Sequence, residues 1–80
     1  MTRYMHGKVN FAIKWYKYSN EKHPEGYAVN RDKLVTDLTD LGIEAANKDM
    51  EADFEEISIL LGYLAEGKEL KPVPLPEFSI

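Results

Sequence analysis

Eighty residues with 44% hydrophobic and 30% charged side chains make one small globular domain, since a second core would leave each half too small to hold itself together. With no cysteine, the chain excludes disulfides, thiolate nucleophiles and cysteine-based zinc sites, which fits a reducing compartment and leads us to expect a cytoplasmic protein. The net charge of -4 divides unevenly: residues 1–31 carry six bases against two acids, residues 32–80 four bases against twelve acids. This split suits either a partner surface or a basic element lying beside acidic ones in one fold.

The first element is ambiguous. In VNFAIKWYKYS, Val9 to Ser19, a period of two puts Val9, Phe11, Ile13 and Trp15 on one strand face. Taken at about 100° per residue, Val9, Ala12, Ile13 and Tyr16 form a band, with Phe11, Trp15 and Tyr18 beside it and Asn10, Lys14, Lys17 and Glu21 opposite. The following SNEKHPEG decides for a helix over about 8–22: its charged last turn is stopped near His23 by Pro24, and no tight hairpin turn is present. Phe11, Ile13 and Trp15 are expected inside. The alternative is an α+β domain with a strand pair 9–18/27–30 packed on two later helices.

A helical hairpin is expected over 30–66. Its first helix has Asn30 as N-cap, Leu34, Val35, Leu38 and Leu41 on one face, and Gly42 just past its end, with GIEAANKD as the connection. Its second helix carries the stripe Met50, Phe54, Ile57, Leu61 and Leu64 and closes at Gly67. The fold expected is therefore all-α: a single three-helix domain over 1–70. The last ten residues, KPVPLPEFSI, place proline at every second position from Pro72 to Pro76 and form an extended strap or tail over 71–80.

Catalytic chemistry finds little material. The serines lie in no Gly-x-Ser-x-Gly setting, and the glycine-rich phosphate cradles are missing from the sequence. Asn47, Asp49, Glu51 and Asp53 alternate as calcium ligands do, but Ala52 and Ser58 stand where an EF-hand requires glycine and glutamate. Acidic groups at a helix start explain them better. No catalytic residue, metal ligand or cofactor is assigned, and no segment reaches the roughly 18 apolar residues of a membrane span.

What remains is recognition. The expected function is that of a non-enzymatic protein–protein interaction module, a small regulator, inhibitor or adaptor whose partner is another protein. Its contact residues would be an acidic helical face of Asp49, Glu51, Asp53, Glu55 and Glu56, or the apolar strap through Leu75 and Phe78. A homodimer is also expected, from the long apolar stripe between Met50 and Leu64 in a small core that has no disulfide to staple it. The alternative is nucleic-acid binding through Lys14, Trp15, Lys17 and Tyr18, which interleave basic groups with stacking surfaces. The five acids of the last helix disfavour its entry into a major groove.

Overall fold

The computed structural model describes residues 1–70; the expected strap over 71–80, with Leu75 and Phe78, lies outside the described residues. Three α-helices follow one another: α1 (Arg3–Lys22), α2 (Tyr27–Asn47) and α3 (Glu51–Ala65), with a single 3-10 turn, Pro24–Gly26, between the first two. No strand occurs among the described residues, so the segment 9–18 is helical and the strand-pair alternative falls. Helix α2 is the middle of the assembly, packing against α1 on one flank and α3 on the other.

Local chemistry sets each boundary. Helix α1 begins because the Thr2 hydroxyl accepts from the Met5 N–H at 3.2 Å, the N-cap arrangement that satisfies one orphan donor. It ends before Pro24, which denies its predecessor the helical region. Helix α3 ends in a Schellman motif: Gly67 takes φ 76°, its N–H donates to the Leu64 carbonyl at 3.1 Å, and the Lys68 N–H donates to the Tyr63 carbonyl at 2.9 Å.

Two expected boundaries are corrected. Helix α2 starts three residues before Asn30, whose side chain is buried in its first turns and donates to Asn20 Oδ1 at 2.9 Å rather than capping. It also runs five residues past Gly42. The same Schellman pattern occurs about two turns past Gly42, with Asp49 at φ 57°, its N–H on the Ala46 carbonyl and the Met50 N–H on the Ala45 carbonyl. Gly42 is instead a buried position inside α2, facing α3: a Cβ there would sit 3.5 Å from Ile57 Cγ2, an ordinary contact.

The core is a file of aliphatic side chains. Met5, Val9 and Ile13 from α1 meet Leu34, Leu38 and Ala45 from α2, and Ile57 and Leu64 from α3, with Leu70 covering one end. Burial of such groups is worth about 25 cal/mol per Å2 of apolar surface and is the main force holding the helices together. No aromatic residue among those described is fully buried. Phe11, expected inside, is 73% exposed, because α2 covers the Val9 and Ile13 side of α1 and Phe11 points past it.

Candidate interaction surface

Helix α1 has two apolar seams. The inner one, Met5, Val9, Ala12 and Tyr16, steps by four, three and four residues and faces the core. The outer one, Tyr4, Lys8, Phe11, Trp15, Tyr18 and Lys22, steps by four, three, four, three and four. That is the spacing of a coiled-coil contact line. Phe11, Tyr18 and Tyr4 on it are 73%, 61% and 46% exposed, and Trp15 is half-buried.

Lys8 and Phe11 of this outer seam, with Gly7 beside them, form one wall of a groove of about 500 Å3 between α1 and α2. Ala12 and Leu41 lie in its lining, and the α2 wall carries Lys33, Asp37, Asp40 and Glu44, again stepping by four, three and four. Its polar groups are organised. Lys33 donates to Asp37 at 2.7 Å while its Nζ lies 4.8 Å from the centre of the Trp15 ring. At the other end, Lys8 and Lys48 both donate to the Tyr4 hydroxyl and to Glu44, and stand 4.4 and 4.5 Å from the Tyr4 ring centre. Cations over aromatic faces are attracted by the ring quadrupole.

This cluster shifts three titrations. The Tyr4 hydroxyl, then Lys8 and Lys48, hold the Glu44 carboxyl below its usual range. Hydrogen bonds to Tyr4 and then Glu44 raise both lysines. The groove is therefore bordered by fixed charges of both signs.

A second cleft of about 370 Å3 opens between the C-terminal half of α1, the start of α2 and the turn after α3. Burial raises the Tyr16 phenol, aided by its hydrogen bond with Tyr27, whose ring lies 6.2 Å away. Arg31 donates to the Leu64 carbonyl at 2.7 Å and so ties the end of α3 to α2. The groups in this cleft are largely engaged with one another.

The expected contact residues separate. Asp49, Glu51 and Glu55 are exposed and Glu56 is half-buried, but Asp53 leaves the acidic face: it is 2% exposed and holds the start of α1. Asp49 is committed to the turn at the end of α2. Of the basic and aromatic set, Trp15 and Tyr18 lie on the outer seam. Lys14 is exposed beside it, whereas Lys17 lines the other cleft and pairs with Glu69 at 3.9 Å. The four are not brought together as one phosphate track.

The groove itself escapes notice in the sequence, because Phe11 and Trp15 read equally well as core residues. The signal was the four-three spacing of a second seam one residue out of step with the first. Among the described residues, no group of three or more histidines and carboxylates is placed to hold a metal ion, and no helix is long and apolar enough to cross a membrane. Compared with family models, curated proteins and solved structures, the chain matches none.

Proposed function

We propose that this chain is a non-enzymatic interaction module, a small regulator, inhibitor or adaptor that docks a helix of a partner protein in the groove between α1 and α2. The observation that carries this reading is the outer seam: Tyr4, Phe11 and Tyr18 stand in register on the surface of a domain whose described core is aliphatic. Aromatic residues are enriched at the centres of protein interfaces, where they bury much area at low entropic cost. A groove walled by two helices fits an amphipathic helix as its third member. The lysines of α1 and the Asp37, Asp40 and Glu44 side of α2 favour a helix with acids on one flank and bases on the other.

The test is quantitative capture from native extract by the full chain, compared with Phe11→Glu, Tyr18→Glu and, outside the groove, Ile59→Glu. A protein held by the parent and by Ile59→Glu, and lost with both seam variants, supports the reading. Capture indifferent to the seam overturns it.

Nucleic-acid binding stays as the second reading, favoured by the exposure of Tyr18 beside Lys14 and Lys22. Fluorescence anisotropy with labelled single-stranded oligonucleotides at low salt separates the two. Binding that falls steeply with salt and disappears in the Lys14→Ala, Lys22→Ala double variant would favour it over docking.

A further inference from the structure

We infer that the second cleft, between the C-terminal half of α1, the start of α2 and the turn after α3, binds a small monoanionic carboxylate with an apolar body, held by Arg31 and Tyr27. It shares no lining residue with the groove between α1 and α2, so it stands or falls apart from the docking reading.

Two donors are left over in this cleft once its internal bonds are made. Asn30 donates to Asn20 at 2.9 Å. The amide of Asn20 favours the ionised Tyr16 phenol and so donates to its oxygen, whereas Tyr27 favours the neutral phenol and so accepts its hydroxyl proton. Each group passes its donor to the next. The chain of bonds ends on the Tyr27 hydroxyl proton, which has no protein acceptor among the described residues.

Arg31 supplies the other donor. Its guanidinium donates to the Leu64 carbonyl at 2.7 Å, and no carboxylate among the described residues pairs with it. A guanidinium presents five N–H groups in a planar fork, so this half-buried one keeps its full charge and a free edge for a planar anion. Arg31 and Tyr27 both line the cleft. A carboxylate has the shape and charge to accept from both.

The remaining lining says what such an anion would carry. Lys17, Arg31 and Lys68 line the cleft with Glu21 and Glu69, three positive groups against two negative, which leaves a single charge to neutralise. A dianion such as phosphate would be repelled by the two carboxylates. Leu64 and Leu70, both buried, and the Tyr16 and Tyr27 rings, 6.2 Å apart, give the lining its apolar part. The volume of about 370 Å3 falls in the range of small-ligand pockets, which join apolar walls to a few placed polar groups. An aryl or short alkyl carboxylate meets all of these demands.

The test is an NMR titration of the full 15N-labelled chain with phenylacetate, with its neutral analogue phenylacetamide and with inorganic phosphate. Phenylacetate is expected to shift the Tyr27, Arg31 and Lys68 amide signals to saturation, and phenylacetamide is expected not to saturate them. Loss of a charged donor in Arg31→Gln should weaken phenylacetate about tenfold, and loss of a neutral one in Tyr27→Phe about threefold.

No saturable shift with phenylacetate overturns the inference, as does equal binding of phenylacetamide or an affinity unchanged in Arg31→Gln. Tighter binding of phosphate than of phenylacetate also overturns it. Arg31 ties the end of α3 to α2, so circular dichroism accompanies that variant. If it unfolds, Tyr27→Phe leaves the tie intact and gives the decision.

Discussion

Asp53 of α3 holds Thr2 with both carboxylate oxygens: Oδ1 accepts the Thr2 backbone N–H at 2.9 Å and Oδ2 accepts its hydroxyl at 2.7 Å. Thr2 is at the same time the N-cap of α1, so one acid joins the start of the first helix to the last. The ammonium of Met1 adds a longer contact to Asp53, at 4.0 Å, and a hydrogen bond to Glu56 at 3.0 Å. Removing the buried carboxylate leaves both Thr2 donors without their acceptor. Asp53→Ala is expected to cost about 2 kcal/mol, in the range for hydrogen bonds to charged groups. Thr2→Ala should cost about 1 kcal/mol through the lost cap. Urea denaturation of both and of the double variant measures the coupling, expected to be positive since the two share their bonds.

The end of α2 offers a gain. Asp49 has φ 57°, where a Cβ is strained, and its side chain makes no hydrogen bond or ion pair among the described residues. Asp49→Gly is expected to stabilise the fold by about 0.5 to 1 kcal/mol, read as a higher denaturant midpoint at constant slope. A loss of stability there would show that the acid holds something else.

Gly42 separates packing from capping. A Cβ at 3.5 Å from Ile57 Cγ2 is ordinary contact, so Gly42→Ala is expected to be neutral or to stabilise by up to about 1 kcal/mol through helix propensity. Gly42→Leu must push α3 away and is expected to cost about 1 to 3 kcal/mol. Were Gly42 a helix end with left-handed backbone, both would destabilise. Thermal unfolding of the pair tells these apart.

Surface and core aromatics and aliphatics should behave oppositely. Leu38→Ala empties a fully buried position and is expected to cost about 2 to 5 kcal/mol. Phe11→Ala removes a larger side chain yet should change the stability of the single chain by no more than about 0.5 kcal/mol. A large loss at Phe11 that depends on protein concentration would instead report a contact between copies.

The Tyr4, Lys8, Glu44 and Lys48 cluster predicts the pH response. Glu44 is lowered, so its contribution is present above the ordinary glutamate value of about 4.3 and is lost as pH falls through its lower folded value. Lys8 and Lys48 are raised, so their contribution is present below the ordinary lysine value of about 10.4 and is lost as pH rises through their folded values. Both effects are small because the groups are exposed. NMR titration of Glu44 in the parent and in Tyr4→Phe checks the cause: loss of the hydroxyl should move Glu44 back toward its usual range.

Much of this fold was legible in the chain. Of the expected stripe Met50, Phe54, Ile57, Leu61 and Leu64, Ile57 and Leu64 are buried while Phe54 is exposed; the stop at Pro24 and the closure at Gly67 follow from local rules, since proline geometry and positive φ act within a few residues. Composition set one small cysteine-free domain, and periodicity set helices. Tertiary packing decided the rest. Gly42 looked like a helix end until α2 ran on to the turn at Asp49, and Asn30 looked like a cap until Asn20 received its amide.

The candidate groove was the least legible part, because burial is a property of neighbours. Helix α1 offers two apolar seams, and its own sequence does not say which one α2 will cover. Once Met5, Val9 and Ile13 were taken into the core, Phe11 and Tyr18 were left facing outward, and Asp53 was drawn in from an otherwise acidic face to meet Thr2. Pattern alone determined that these side chains share lines along helices; only the placement of one helix against another determined which line is core and which is surface.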